Sequence, residues 1–163
     1  MANNYLQFST MIETSGTEEL AWAEEHLIHV SELYEKVSAA NMYDGWGVAK
    51  NELERLGYDL DQDYLGFNYK VGRNGIQIYA EEYGEPSQVA TFMLLYLRKF
   101  RPNGSLSFTW ALTCDKMRPD EFSGGGAFIT AKGIQNFESS DLIHQAYTAW
   151  LKETVCTGAS RCL

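Results

Sequence analysis

The sequence predicts an α+β domain, with a mainly antiparallel sheet of about five strands and helices packed on one face. Segments with an apolar residue at every second position alternate with segments that carry apolar residues at helical spacing. Their order is strand, helix, helix, hairpin, helix, strand, strand, helix. The length of 163 residues suits one domain with its own core. We expect that domain over residues 1–156, and a frayed C-terminal tail over residues 157–163.

The composition of the chain is that of a globular protein. Apolar residues make up 45% of it and aromatic residues 13%, which argues against disorder. No apolar run approaches the roughly 20 residues of a membrane-spanning helix, and the first residues lack the basic and apolar parts of a secretory signal. The three cysteines match no disulfide or zinc pattern. We therefore expect a cytoplasmic protein with reduced thiols and no membrane association.

The first part of the chain predicts a strand followed by an acidic amphipathic helix. Residues 5–12 alternate between apolar and polar side chains, as in a half-buried strand. Ser15 and Glu18 fit the S-x-x-E capping box, which predicts a helix start at this point. The apolar residues that follow at helical spacing are Leu20, Ala23, Leu27, Val30, Tyr34 and Val37.

A second helix and a hairpin follow. Residues 48–56 show a short helical pattern, and the glycine directly after them is placed to cap the helix. Residues 64–71 and 75–82 alternate as two strands. Between these strands, Gly72 and Gly75 are expected to supply the positive φ angles of a tight turn. The pattern therefore predicts a β-hairpin.

The second half of the chain predicts a core helix, two strands and a last helix. Pro86 opens a broad apolar stripe that indicates a central core helix. Residues 105–113 alternate as a half-buried strand, and residues 128–131 are its expected partner. Ser140 is expected to cap a last helix that turns its apolar residues inward. Those residues are Leu142, Ile143, Ala146, Tyr147 and Trp150.

The net charge of −9 is unevenly distributed along the chain. Residues 1–65 carry 13 acidic and 3 basic residues, a net of −10, whereas residues 66–163 carry 9 acidic and 10 basic residues, a net of +1. An acidic surface repels nucleic acid and anionic membranes, and it attracts a basic protein at rates that fall with salt. The alternative is that the acids only keep the protein in solution. The expected partner-binding residues are Glu18, Glu25, Glu32, Asp59, Asp61 and Asp63.

A second candidate site is the polar loop that runs from Cys114 to Gly126. A Lys or Arg near a thiol can make it a nucleophile, which would suit a small enzyme or a ligand-binding domain. A catalytic cysteine generally needs a histidine base, and the three histidines lie far away in sequence. The alternative is a small buried cysteine at a strand end. The residues of this candidate site are Cys114, Asp115, Arg118 and Glu121.

Two further motifs predict neither a cofactor nor a metal site. The three glycines at 124–126 lack the surrounding pattern of a phosphate-binding loop, so a bulge or a close backbone approach is the preferred interpretation. His26 and His29 could supply only two metal ligands from one helix. We therefore expect structural roles for these residues.

The three aspartates between residues 59 and 63 have the spacing that opens an EF-hand loop. The sixth position of such a loop is Tyr64 here instead of glycine, and the twelfth is Lys70 instead of glutamate. A solvated acidic connector is therefore the preferred interpretation.

Direct nucleic-acid binding is also not expected, because the only basic cluster is the short run at residues 98–101.

Three segments of the chain resemble a known group of proteins. They are residues 108–126, FTWALTCDKMRPDEFSGGG, together with Tyr5-Leu-Gln-Phe-Ser and Leu97-Arg-Lys-Phe-Arg-Pro. This combination resembles small acidic proteins of unknown function from phages and other mobile elements, over the opening strand and residues 76–132. The resemblance implies a phage or mobile-element setting but no activity. The acidic region between Glu13 and Asp63 lies outside it.

These observations favour a non-enzymatic, acidic protein-binding module. In the setting that the resemblance implies, it would inhibit a host nucleic-acid-handling or defence protein by competing with nucleic acid for a basic surface. Two alternatives stay open: a small enzyme or ligand-binding domain that uses the Cys114 loop, and a self-associating structural component. We predict no catalytic residue, no cofactor and no metal, and leave a homo-oligomer open.

Overall fold

A computed structural model describes residues 4–39, 46–116 and 122–158 of the chain. The strands are β1 (Asn4–Glu13), β2 (Asn68–Gly72), β3 (Gly75–Ala80), β4 (Ser105–Cys114), β5 (Ser123–Thr130) and β6 (Gly133–Glu138). The helices are α1 (Thr17–Ser38), α2 (Trp46–Leu56), α3 (Pro86–Phe100) and α4 (Ser139–Gly158). The last part of the expected C-terminal tail, residues 159–163, lies outside the described residues.

The strands form one antiparallel sheet in the order β2-β3-β1-β4-β5-β6. β1 is divided between its neighbours, since residues 4–7 pair with β4 and residues 8–13 pair with β3. The predicted α+β class with an antiparallel sheet is confirmed. The additional strand is β6, an edge strand whose side chains are mostly exposed. An edge strand buries few side chains, so its sequence shows little apolar alternation.

One face of the sheet carries the core. α1 and α3 pack against this face, and α2 packs against α1. The alternation predicted for β1 and β4 is found: Phe8 and Phe108 are buried, whereas Gln7 and Thr109 on the opposite face are exposed. The largest fully buried side chains are Tyr34, Tyr96, Phe92, Ile12, Leu27, Leu53, Ile76, Ile78, Met93, Leu97, Ile129 and Gln88.

The start of α1 differs from the predicted capping box. Its N-cap residue is Gly16, and no side chain bonds to the cap. The Ser15 amide donates to a carboxylate oxygen of Glu19 at 3.0 Å, whereas the predicted partner, Glu18, is exposed. Glu19 takes this place because residues at the end of α3 also hold its carboxylate.

The Glu19 carboxylate joins α1 to the C-terminal end of α3. Arg101 Nη2 donates to it at 3.1 Å, and also to the Ser15 hydroxyl and the Glu13 carbonyl oxygen. The Tyr96 hydroxyl donates to the same carboxylate. Burial opposes the charge of Glu19, but the bonds from Tyr96 and Ser15 and the charge of Arg101 outweigh it and lower the pKa of this carboxyl.

The hairpin of β2 and β3 is confirmed, but its glycines act differently from the prediction. Gly72 and Gly75 pair across the turn, and neither has a positive φ; among the described residues, Gly57 is the glycine that does, at 86°. Gly57 follows α2 and is its predicted C-terminal cap. Gly75 is needed for space, because a β-carbon there would lie 2.3 Å from the Ile12 carbonyl oxygen of β1.

The loop expected over residues 114–126 is shorter, because its last four residues belong to β5. Gly125 pairs with Trp110 of β4 on the core face. A β-carbon at Gly125 would lie 2.4 Å from Cζ2 of the Trp110 indole and 2.6 Å from a carbonyl oxygen of β6. Because Gly125 has no side chain, the Trp110 indole can lie directly against the backbone of β5. This is the close approach that the glycine run predicted.

The inward orientation predicted for the last helix is wrong. α4 contacts β5 and β6, and the Gly124 amide donates to the Ser139 hydroxyl at its first turn. The core face of the sheet is already covered by α1 and α3, so the apolar stripe of α4 stays exposed. All five residues that were predicted to face inward are exposed: Leu142, Ile143, Ala146, Tyr147 and Trp150.

Among the described residues, no helix combines the length and apolar character needed to cross a membrane.

His26 lies among aromatic rings in the helical layer. Its ring stacks on Trp22 at a centroid distance of 4.9 Å, and its Nε2 lies 3.1 Å from the Tyr58 hydroxyl oxygen. Burial, with a smaller contribution from the charge of His29, lowers the pKa of His26 to about 4. The ring is therefore neutral at physiological pH.

Replacing Gly125 with alanine should destabilise the domain by about 1–3 kcal/mol, because the added β-carbon overlaps the Trp110 indole. Urea unfolding followed by tryptophan fluorescence measures the change. Gly133→Ala is the matched control, since nothing lies within 4 Å of a β-carbon at that glycine. The control should change the free energy of unfolding by less than about 0.5 kcal/mol. Equal stability of the two variants would contradict the packing argument.

The free energy of unfolding should fall as the pH drops below 6.5. The ordinary pKa of histidine is 6.5, and folding lowers that of His26 to about 4, so the unfolded state binds more protons between these values. We expect a loss of about 1–2 kcal/mol between about pH 7 and pH 5, allowing for the partial solvent exposure of the ring. Urea unfolding at each pH measures it.

His26→Phe should remove most of this pH dependence, because the phenyl ring fills the aromatic site without binding a proton. His144→Gln is the control, since His144 is exposed on α4 and its loss should leave the pH dependence unchanged. If His26→Phe keeps the full loss of stability between about pH 7 and pH 5, then His26 is not its source.

Candidate functional site

A cleft lies between the C-terminal half of α1 and the segment that leads into β2. Its volume is about 470 Å³, within the usual range of ligand sites. Two kinds of side chain dominate its lining. The aromatic members are Tyr34, Tyr64, Phe67 and Tyr69, and the acidic members are Glu35 and Asp63. We call this feature the α1–β2 cleft.

A buried amide holds the two walls of the α1–β2 cleft together. Gln88, in the first turn of α3, is completely buried. Its Oε1 accepts from the Gly66 amide at 2.8 Å. Its Nε2 donates to the Tyr34 hydroxyl at 3.0 Å and to the Tyr64 carbonyl oxygen at 3.2 Å. One side chain therefore fixes the wall from α1 against the wall from residues 64–66.

The Tyr34 hydroxyl is a structural group. It donates to the Asp59 carbonyl oxygen and accepts from Gln88. Burial, together with the charges of Asp59 and Glu85, raises the pKa of Tyr34. The phenol therefore stays protonated at physiological pH, and both of its hydrogen bonds are used to hold the cleft.

The acidic face of α1 extends to the edge of the cleft. Glu18, Glu25 and Glu32 are all exposed and, seven residues apart, share one face of the helix. Glu24 and Glu35 are also exposed. At 100° per residue they lie between that face and the cleft-lining side of α1. These carboxylates give α1 a mainly acidic exposed side that reaches the cleft, interrupted by the exposed side chains of Ile28 and Lys36.

Glu24 is close enough to affect a residue in the cleft lining. Burial raises the pKa of Tyr69, and the negative charge of Glu24 adds to the increase. A carboxylate disfavours ionisation of a nearby phenol because the two negative charges would repel each other. Glu24 therefore adds negative charge near the α1–β2 cleft, whereas Glu35 and Asp63 are the carboxylates that line it.

The three predicted aspartates lie on the connector beside the cleft, and all are exposed. An Asp59 carboxylate oxygen accepts from the Asp61 amide at 3.0 Å, which is an Asx turn. The Ser38 hydroxyl lies 3.4 Å from a carboxylate oxygen of Asp63 and donates to it. Of the three, only Asp63 lines the cleft. The connector thus has a local turn structure and contributes negative charge to the site.

This arrangement suits a cationic group. Aromatic rings attract ammonium and guanidinium groups through their faces, and the carboxylates of Glu35 and Asp63 can accept charge-assisted hydrogen bonds from them. Among the described residues, no histidine or cysteine lines the cleft. Tyr34 and Phe67 are themselves buried, so a lysine or arginine side chain would meet the exposed ring of Tyr64 and these carboxylates.

The alternative site around Cys114 is described only in part. Cys114 is half-buried at the end of β4, and its Sγ lies 3.9 Å from a carboxylate oxygen of Asp115. Arg118 and Glu121, the other two predicted members, lie outside the described residues. The glycines that ended the predicted loop belong to β5.

The two histidines considered as metal ligands have separate contacts. His26 Nε2 lies beside the Tyr58 hydroxyl, and His29 Nε2 lies 4.0 Å from a Glu52 carboxylate oxygen. Within the described part of the chain, no group of three or more His, Cys, Asp or Glu side chains is arranged to hold a metal ion.

The sequence predicts the acidic residues of the site but not its aromatic part. Tyr64 and Tyr69 belong to the predicted hairpin, and Tyr34 to the predicted apolar face of a helix, so all three were assigned to the core or the sheet. Tyr64 is in fact 45% exposed. The available signal was the position of Tyr64, directly after the acidic connector, which suggested that its ring and the carboxylates share a surface.

No family model, no curated protein and no solved structure matches this chain. The sequence resemblance to small acidic proteins of phages and mobile elements therefore stays a prediction. The geometry of the α1–β2 cleft and the charge around it carry the functional argument.

Gln88→Leu should destabilise the domain by about 2–4 kcal/mol, because it leaves the Gly66 amide and the Tyr34 hydroxyl without their buried partner. Gln77→Leu is the matched control, since Gln77 makes an exposed side-chain hydrogen bond to Ser9 and should change stability by less than about 0.5 kcal/mol. Urea unfolding measures both. A difference between the variants of less than about 1 kcal/mol would show that the amide does not hold the cleft.

Proposed function

We propose that this protein is a non-enzymatic module that binds a basic protein. The binding surface is the acidic face of α1 together with the adjacent α1–β2 cleft. One observation carries the proposal: a cleft lined by aromatic rings and carboxylates opens beside a helix side on which most exposed charged residues are glutamates. Such a surface attracts a basic protein electrostatically from a distance and offers a defined binding site for one of its cationic side chains.

The two parts of the surface have different physical roles. Exposed carboxylates such as Glu18, Glu25 and Glu32 each contribute little to affinity, because water and salt screen them. Together they raise the association rate for a basic partner. At the cleft, a lysine or arginine side chain would contact the exposed ring of Tyr64, which adds roughly 0.5–2 kcal/mol. The carboxylates of α1 therefore mainly raise the association rate of the partner, and the cleft provides most of the specificity for a lysine or arginine side chain.

The partner class follows from the charge. A basic surface that fits these carboxylates is of the kind that also binds nucleic-acid phosphates, so this protein would compete with nucleic acid for it. The sequence resemblance to phage and mobile-element proteins points to a host nucleic-acid-handling or defence protein as the target. Binding would then inhibit that protein by occupying its basic surface.

The proposal gives the cleft a binding role and no chemical step. The Tyr34 phenol stays protonated and has both hydrogen bonds committed to the scaffold. The carboxylates of Glu35 and Asp63 lie at an open rim, where they can pair with a cation. These features support recognition of a positively charged side chain.

Replacing Glu18, Glu25 and Glu32 together with glutamine should weaken binding about tenfold at low salt and reduce its salt dependence. The tagged protein and the variant are compared by affinity purification from host lysate at low and high salt, with mass spectrometry of the retained proteins. A lysine- and arginine-rich peptide, titrated by calorimetry, gives the same comparison with a defined probe.

Tyr64→Ala should weaken peptide binding about five- to tenfold and leave the salt dependence unchanged.

Two matched controls separate the site from general charge and exposure. The first replaces Glu81, Glu82 and Glu138 with glutamine, which removes the same charge from exposed positions elsewhere. The second is Tyr83→Ala, an exposed tyrosine outside the cleft. If the charge control weakens binding as much as the α1 variant, only net charge matters and the proposed face is wrong. If Tyr64→Ala binds like the wild type, the cleft has no part in binding.

A further inference from the structure

α4 presents an apolar stripe to solvent. Leu142, Ile143, Tyr147 and Trp150 recur at helical spacing on one side of the helix. Their exposed fractions are 53%, 71%, 55% and 55%. The rings of Tyr147 and Trp150 stack on each other, with their centroids 5.9 Å apart. A contiguous apolar surface of this kind on a globular protein marks an interaction site.

A shallow apolar groove lies beside this stripe, on the face of the sheet opposite α1 and α3. Its volume is about 490 Å³. Gly124 and Gly126 leave part of the floor without side chains, and Phe128, Phe137 and Leu142 line the groove around them. The rings of Phe128 and Phe137 are 41% and 44% exposed. We call this feature the glycine groove.

The charge distribution allows two acidic molecules to meet here. No ionisable side chain lines the glycine groove among the described residues. Over its full length, α4 carries two acids, Asp141 and Glu153, and one base, Lys152, which is little net charge. The acidic α1 packs on the other face of the sheet. Two copies, each with a net charge of −9, can therefore touch through this surface while their α1 carboxylates stay apart.

The exposed apolar area is of the size that a dimer interface needs. At about 200 Å² per aromatic side chain, the four rings of α4 and the groove together expose roughly 400 Å². Leu142 and Ile143 increase this area. Two copies would then bury more than roughly 1,000 Å² in total, which is the area that a specific interface exceeds.

We infer that the glycine groove and the α4 stripe form a homodimer interface. The α4 helix of one copy lies over the glycine groove of a second copy, and the second α4 lies over the first groove. A convex helix and a concave, glycine-floored groove on the same molecule are self-complementary, which is what a two-fold symmetric contact requires. Ile143 and Tyr147 of each helix are the central contacts. This inference does not rest on the proposed binding of a basic protein.

Sedimentation equilibrium of the full chain tests the inference, between about 1 and about 100 µM, a range that resolves a dissociation constant near 10 µM. The expected mass rises from that of the 18.5 kDa monomer to twice this value. Ile143→Glu places a charge in the centre of the stripe. Thr109 of β4 also lines the glycine groove, so Thr109→Arg places a charge there. Each should shift dimer formation to at least tenfold higher concentration, with an unchanged circular dichroism spectrum.

Val48→Glu is the control, because Val48 is an apolar residue on α2 that is 74% exposed and lies outside the interface. It should dimerise like the wild type. A wild-type mass of 18.5 kDa at the highest concentration overturns the inference and leaves another protein or another segment as the occupant of the surface. A dimer that Ile143→Glu and Thr109→Arg leave intact also overturns it. Loss with Ile143→Glu alone would show helix pairing without the groove, which contradicts the proposed arrangement.

Discussion

The buried amide of Gln88 is the interaction on which the candidate site depends. It lies in the first turn of α3, inside the core, where an unsatisfied polar group would cost about 1–3 kcal/mol. Its three hydrogen bonds join α1, through the Tyr34 hydroxyl, to the chain at Tyr64 and Gly66. Because both walls of the α1–β2 cleft must meet this amide, the spacing of the two walls is set from inside the core.

A second constraint is that the sheet is covered on one face. α1 and α3 take the core face, and the exposed glutamates of α1 therefore lie on that side of the molecule. The other face keeps exposed side chains, the glycine groove and the neighbouring stripe of α4. The molecule therefore has two surfaces of different chemistry. One is acidic with an aromatic cleft, which suits a cationic partner. The other consists of the glycine groove and the α4 stripe and is mainly apolar, which suits a copy of the same chain.

The sequence predicted local structure well where one face of an element is buried. The alternation in β1, β3 and β4, the apolar stripe of α3 and the glycine after α2 are all found in the structure. The strand predicted over residues 64–71 is shorter than expected: β2 begins at Asn68, and four of its five residues are exposed. Prediction failed where contacts with residues distant in sequence determined which of two neighbouring side chains forms a hydrogen bond. Glu19, and not Glu18, receives the Ser15 amide, because only Glu19 is also reached by Tyr96 and Arg101 from α3. β6 was missed because its exposed side chains show no apolar alternation.

By itself, the sequence determined the α+β class, the hairpin and the acidic first part of the chain, because periodicity and charge are properties of neighbouring residues. The tertiary structure decided what these elements face. It left the apolar side of α4 exposed, since α1 and α3 already occupy the core face, although the helical spacing is the same as that of a buried helix. It also formed the cleft, because Gln88 bonds Tyr34 and Tyr64, which lie 54 and 24 residues away from it. Contacts over such distances in sequence have no local signal.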